Sequence, residues 1–220
     1  MSGFQQNKDM LDYLRAIPLL SHVSEDDLEA IACQMIERRF AKGTVVVEEG
    51  LSGDYMYVIR AGRVKVTKAS EDGREKIMDF LEAGSFFGEM ALLDQAPRSA
   101  TVRTLEASRL LALSRVAFLD LLTRSPSLSL AVIKVLVQRL RYADEQASSM
   151  SFQRVEDRVR SLFERIARPE EGCDGALVTP SLTHQQIADM VGTSRETVTR
   201  VVKQLKIEGW LQQRGKHYLI

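Results

Sequence analysis

The sequence predicts an α+β chain in which a small β-roll or barrel, a long helix and a C-terminal helix-turn-helix follow one another. Three observations predict it. Between about Phe40 and Ser114 apolar residues recur with a period of two and are broken by Gly-bearing turns, the pattern of short half-buried strands. From Pro126 to Met150 no further Pro and no Gly interrupts a helix-compatible run. Thr183 to Gly192, followed by Ser194, reads as two short capped helices joined by a tight turn. A chain of 220 residues, 45% of them hydrophobic, can bury two modest cores, and the expected boundaries are 1–125, 126–150 and 151–220.

The elements follow in order. Ser24 is placed as an N-cap, and Glu25, Asp26 and Asp27 supply first-turn acids to a helix whose inward side is Leu28, Ile31 and Met35. Tyr55, Tyr57 and Ile59 alternate before Ala61-Gly62, and Val64 and Val66 before Glu71-Asp72-Gly73. Ile77, Phe80 and Leu81, then Ala100, Val102 and Leu105, then Leu110, Leu111 and Leu113 continue the strand signal. In the long helix Ile133, Leu136, Leu140, Ala143, Ala147 and Met150 are separated by 3, 4, 3, 4 and 3, a heptad stripe that predicts a parallel two-helix seam between two copies of the chain. An amphipathic helix lying on its own roll is the alternative. A further helix spans about Phe152 to Ile166, and Arg168-Pro169-Glu170-Glu171-Gly172 reads as a surface loop.

Composition narrows the function classes. Net charge is zero, yet the charges are uneven: residues 1–125 hold 16 basic and 19 acidic groups. Residues 181–220 hold six basic groups (Arg195, Arg200, Lys203, Lys206, Arg214, Lys216) against three acidic ones (Asp189, Glu196, Glu208). A basic C-terminus suits double-stranded DNA as a partner. Cys33 and Cys173 are too few for a disulfide framework or a thiolate cluster, and His22, His184 and His217 have no ligand spacing, so no metal site is expected. Nor does the chain show a signal-like start or an apolar run of about 18 residues, so a cytoplasmic protein with no membrane partner is expected.

Two runs carry chemistry. Gly88-Glu89-Met90-Ala91-Leu92, closed by Pro97-Arg98-Ser99-Ala100, sets a carboxylate and a guanidinium around a Gly-opened turn. Arg98 can meet two exocyclic phosphate oxygens with parallel charge-assisted bonds, and Ser99 can add a hydroxyl. Ionised Glu89 only accepts, which suits a ribose hydroxyl, and the backbone N–H groups from Glu89 to Leu92 face an anion while Gly88 permits close approach. The run holds no nucleophile–base pair and no metal ligands, which argues against an enzyme acting on such a ligand. In the second run Thr183 and Gln186 form a capping box, Ile187 and Val191 point inward and Gly192 closes the helix. Ser194 caps the next helix, where Val198, Val201, Val202 and Leu205 pack inward and Arg195, Glu196, Thr199, Arg200 and Lys203 face out. Arg pairs bidentately with guanine and Glu accepts from the cytosine amine, so this face fits base reading in a major groove.

On these motifs the first domain resembles the cyclic-nucleotide-binding domain, and from about Leu14 to Tyr218 the chain resembles the cyclic AMP receptor protein/FNR family of bacterial transcription regulators. The resemblance implies a jelly-roll-like cyclic-nucleotide-binding β-roll, a dimerisation helix and a winged helix-turn-helix. It implies that Glu89 takes the ribose 2′-hydroxyl, that Arg98 and Ser99 take the cyclic phosphate, and that Gly50 and Gly62 turn the roll. It further implies that Arg195, Glu196 and Arg200 contact base edges in a TGTGA-like half-site, and that Thr183 and Gln185 grip phosphates. Trp210 to Tyr218, with Arg214-Gly215-Lys216 at its tip, looks like the wing, Trp210 being a core anchor. Implied partners are a second copy of the chain, DNA and RNA polymerase; the implied effector is cyclic AMP. The chain departs from the family where adjacent Thr and Ser hydroxyls meet the adenine amine: here stand Ala143 and Asp144. Asp144 can accept from an adenine amine or take two donors from a guanine edge, which keeps cyclic GMP and cyclic di-GMP open. A nucleotide-independent DNA-binding dimer with a structural or protein-binding roll is the other reading.

Overall fold

The computed structural model describes residues 3–17, 20–69, 75–169, 177–215 and 217–220. The chain divides into two compact units, Met1–Arg74 with Met78–Arg141 and Tyr142–Ile220 with Glu75–Ile77, so the division falls inside the long helix and again between Ile77 and Met78.

In the first unit, α1 (Gly3–Arg15) and α2 (Glu25–Gln34) precede the strands. The Ser24 hydroxyl accepts from the Asp27 N–H and caps α2, as its sequence position predicts. Strands β1 (Ile36–Phe40), β8 (Ser108–Ser114), β3 (Tyr55–Ala61) and β6 (Phe86–Phe87) form one antiparallel sheet in that order. β2 (Val45–Val47), β7 (Thr101–Thr104), β4 (Arg63–Ala69) and β5 (Glu75–Glu82) form the other. β3 was expected to bury one face; it buries both from Met56 to Ile59, because a core lies on each side of its sheet. Met56 and Val58 meet Leu14, Leu28, Phe118 and Leu128 from the helices, whereas Tyr57 and Ile59 meet Val64, Phe87 and Val102 inside the roll. Tyr13 ties α1 to the roll, donating to Ile59 O at 2.5 Å and accepting from Gly84 N at 2.9 Å. Gly50 and Gly62 have left-handed backbone, φ +82° and +98°. The Glu71-Asp72-Gly73 turn lies outside the described residues.

Two helices follow the roll. Ser114 caps α4 (Arg115–Arg124), a helix between the strand region and Pro126 to which the sequence pattern assigns no element, and α5 (Pro126–Phe152) is the long helix. Leu128 and Val132 are buried, and Val135 and Leu136 pack half-buried against the same helical core. Leu130, Ile133, Val137 and Leu140, spaced 3, 4 and 3, are instead 53%, 54%, 43% and 61% exposed. The expected stripe is thus shared between two faces, with Leu136 at the edge of the core-facing one and Ala143 exposed. The side chains of Ala147 and Met150 lie outside the described residues.

In the second unit α6 (Val155–Ile166), α7 (His184–Val191) and α8 (Arg195–Ile207) pack around Val159, Phe163, Ile187, Val198 and Leu205. A small antiparallel sheet runs β11 (Gln212–Arg214), β12 (His217–Leu219), β10 (Leu177–Val178), β9 (Arg168–Pro169). Arg168-Pro169, expected as loop, therefore forms a sheet edge, while Glu170 to Gly172 and Cys173 lie outside the described residues. Phe163 stacks on Tyr218 at 4.9 Å and on Trp210 at 6.4 Å, which anchors the β11–β12 wing to α6. No single described helix is long and apolar enough to cross a membrane.

Candidate functional site

The phosphate-type run folds into a turn and a short helix. Gly88 has φ +86° and opens α3 (Glu89–Asp94), whose first residue, Glu89, is 1% exposed. Arg98 is brought to the same place by a backbone clamp: its N–H donates to Leu51 O at 2.8 Å and its carbonyl accepts from Gly50 N at 2.9 Å. The guanidinium, in a residue 6% exposed, donates from Nη1 to Gly88 O and from Nη2 to Tyr55 O, each at 2.6 Å. Two glycines make room for it. A Cβ on Gly88 would come within 2.7 Å of Nη1, and one on Gly53 within 2.1 Å of Nε and Nη2. Gly53 carried no signal in the sequence reading, since only the folded guanidinium reveals why a side chain is excluded there.

The electrostatics are unbalanced in a way that suits an anion. Among the described residues no carboxylate stands in ion-pair range of Arg98, and its partners are carbonyl oxygens. Desolvation pulls its pKa below the usual arginine value, against the opposing influence of Tyr57, Asp54 and Glu89. Glu89 is paired elsewhere: Oε1 accepts from Arg139 Nη1 at 2.6 Å, while Oε2 is buried without a hydrogen-bond partner. Arg139 also donates from Nη2 to Phe86 O at 2.5 Å and lies over the Phe86 ring at 4.9 Å. The sequence reading missed Arg139. Its signal is position: Leu128, Val132, Val135 and Arg139, spaced 4, 3 and 4, put a cation on the buried stripe of α5.

Met90 is exposed and Ala91 buried, so α3 can offer backbone at these positions rather than polar side chains. Ser99 is exposed, its Oγ 3.7 Å from Met90 Sδ. Asp144 is exposed on α5, one turn beyond Leu140.

In the second unit Thr183 and Gln186 make the reciprocal capping box, and Gly192 ends α7 with φ +69°. Ser194 caps α8 through the Thr197 N–H. Arg195, Glu196, Thr199, Arg200 and Lys203 are all exposed on α8, while Val198, Val202 and Leu205 are buried. Gln185 is held by Asp189 at 2.7 Å, and the Thr199 hydroxyl donates to Arg195 O at 2.9 Å. Arg214 closes β11; Lys216 lies outside the described residues. Among the described residues no cluster of three or more His, Cys, Asp or Glu is placed to hold a metal.

A roll that buries a guanidinium and a half-satisfied carboxylate at one glycine turn, joined to a helix-turn-helix with an arginine-bearing outer face, defines a small-anion sensor coupled to a DNA reader. The cyclic nucleotide-binding domain family matches residues 37–125, and the Crp-like helix-turn-helix domain matches residues 157–220. The chain is 31% identical over 215 residues to the CRP-like cAMP-activated global transcriptional regulator of Mycobacterium tuberculosis, covering 96% of this chain and 95% of that one. It is 30% identical over 196 residues to the cyclic AMP receptor protein of Thermus thermophilus, covering 89% and 88%. Among solved structures, the c-di-GMP responsive global regulator CLP of Xanthomonas campestris superposes with a TM-score of 0.73 at 26% identity, covering 90% of this chain and 99% of that one. The chain belongs to the cyclic AMP receptor protein/FNR family: it is a cyclic nucleotide-responsive, DNA-binding transcription regulator, not an enzyme.

Proposed function

We propose that the effector is cyclic AMP and that the working species is a homodimer on a palindromic operator. The observation that carries the ligand reading is the buried Arg98 guanidinium with no carboxylate in ion-pair range, beside a Glu89 oxygen that lacks a partner. A singly charged cyclic phosphodiester with a neighbouring ribose hydroxyl answers both needs. In this reading Arg98 and Ser99 hold the phosphate, Glu89 Oε2 takes the 2′-hydroxyl, Gly88 with the backbone of Met90 and Ala91 lines the turn, and Asp144 meets the base. Glu89 keeps Oε1 on Arg139 throughout, so one carboxylate touches both ligand and α5.

The exposed stripe Leu130, Ile133, Val137 and Leu140 supports the dimer, with Ala143 exposed beyond it, Leu136 half-buried beside it, and the sequence spacing of 3 and 4 leading on to Ala147. Two copies joined there address two half-sites about 34–36 Å apart. Arg195, Glu196 and Arg200 read bases, Thr183, Gln185 and Lys203 hold the backbone, and Thr199 stands on the same DNA-facing side of α8. Such a regulator works in the cytoplasm beside RNA polymerase.

The test is a calorimetric competition of the nucleotide-free protein against cyclic AMP, cyclic GMP and cyclic di-GMP. Cyclic AMP should bind most tightly. Tenfold preference for cyclic GMP, about 1.4 kcal/mol, overturns the adenine assignment and makes Asp144 the base-selecting residue. Binding of none of the three leaves a DNA-binding dimer with a structural roll.

A further inference from the structure

His184 opens α7, half-buried, with its ring tied to the recognition helix: Nδ1 lies 2.9 Å from Thr199 Oγ1. The threonine hydroxyl has one hydrogen, and at 2.9 Å it donates that hydrogen to Arg195 O. Nδ1 is therefore the donor in the His184–Thr199 pair, and Nε2 is the nitrogen that titrates. Protonating Nε2 leaves the Thr199 bond in place, so the ring gains a charge without moving.

The surroundings disfavour that charge in the free protein. Burial, and then the positive charges of Arg195 and Lys206 on α8, hold the His184 pKa below its ordinary 6.5. On its own helix the nearest acid, Asp189, is engaged by Gln185. The groups pressing on His184 are therefore basic ones on the helix that carries the outer DNA-reading face. We propose that His184 takes up a proton when DNA binds, gripping the phosphate backbone as an imidazolium and making operator affinity depend on pH. The proposal rests on the reading that this face of α7 and α8 meets DNA.

The sign follows from linkage. In the free protein the imidazolium is disfavoured by burial and two cations; against DNA phosphates it is favoured, so the His184 pKa is higher in the complex than free. The gain in affinity is fully present below the free pKa and is lost as pH rises through the pKa of the complex. Each unit of upward shift is worth tenfold per protomer, and an affinity at least about tenfold greater at pH 6 than at pH 8 is expected. A phosphate contact carries no sequence information, so the same pH slope should appear on a scrambled duplex.

The full-length protein is titrated by fluorescence anisotropy into a duplex selected from random sequence and into its scrambled counterpart, from pH 5.5 to 8.5 at fixed salt, with and without cyclic AMP. His184→Asn keeps an N–H for Thr199 but cannot titrate in this range, so it should bind at every pH with the affinity of the parent at pH 8. His184→Arg should be tight and flat. NMR of the imidazole should place the His184 pKa higher in the complex than free. A parent curve flat in pH, a His184→Asn variant that keeps the parent's slope, or an imidazole pKa unmoved by DNA would each overturn the proposal while leaving the DNA-binding reading standing. Failure of the parent to bind either duplex at any pH would instead remove the DNA-facing assignment, and the proposal with it.

Discussion

At Arg98 a guanidinium has been taken out of water and given carbonyl dipoles but no neighbouring carboxylate in ion-pair range, a poor bargain for the free protein that an anionic ligand reverses. Arg98→Leu should therefore cost little stability but weaken cyclic-nucleotide binding by about 1.5–3 kcal/mol, or about 10–150-fold. Calorimetry on a variant shown by circular dichroism to be folded tests this; an unchanged dissociation constant would place the phosphate elsewhere. Gly53 offers an independent check at the same site. A methyl group there meets Arg98 Nε at 2.1 Å, and the far end of a flexible side chain yields before the backbone does. Gly53→Ala should displace the guanidinium and lower affinity at least tenfold, with little change in thermal stability; full-strength binding would show that the guanidinium need not occupy its observed position. The Glu89 to Arg98 run was legible in the sequence because its residue types are those a phosphate and a ribose require. Gly53 and Arg139 were not, since their roles exist only once β3, α3 and α5 bring distant segments within reach of two side chains.

Element by element, the caps were the most legible features: Ser24, Thr183 with Gln186, Ser194 and Gly192 all sit where their short-range chemistry places them. Local hydrogen bonds decide such positions, so no tertiary information is needed. Faces were less legible. β3 is apolar on both sides because it separates two cores, and the stripe on α5 divides into two stripes offset by only one or two residues. Leu136, half-buried against the helical core, is therefore a poor probe of the seam: a glutamate there would destabilise the roll as well as any dimer. Ile133→Glu with Leu140→Glu confines the change to exposed positions. That double variant should fold and sediment as a monomer at concentrations where the parent is a dimer; a persistent tight dimer would move the interface off this face of α5. On α8, Arg200→Ala should lose about 1–3 kcal/mol of discrimination per half-site. Sites selected from random DNA should then be degenerate at the base pair that Arg200 reads, and an unaltered preference would remove Arg200 from the base-reading set.

For the whole molecule, regulation requires that the ligand turn and the DNA-reading helices bias one shared equilibrium, and α5 is a helix that runs from one compact unit into the other. The link between the turn and that helix is Arg139, which holds Glu89 Oε1 and Phe86 O with one guanidinium. Reciprocity then fixes a quantity: if cyclic AMP tightens operator binding by some factor, operator DNA must tighten cyclic AMP binding by the same factor, typically about 5–150-fold. Arg139→Gln keeps a hydrogen-bond donor within reach of Glu89 but removes the charge and the paired grip on Phe86. It should leave cyclic AMP binding to the DNA-free protein within a few-fold of the parent, because Glu89 Oε2 and Arg98 are untouched. The coupling factor, measured both ways by calorimetry with and without operator and by anisotropy with and without cyclic AMP, should fall toward one. Because the two measurements must agree for any variant, their agreement checks the experiment and their common value checks the idea. A coupling factor equal to that of the parent in Arg139→Gln would mean that the signal leaves the ligand turn by another route.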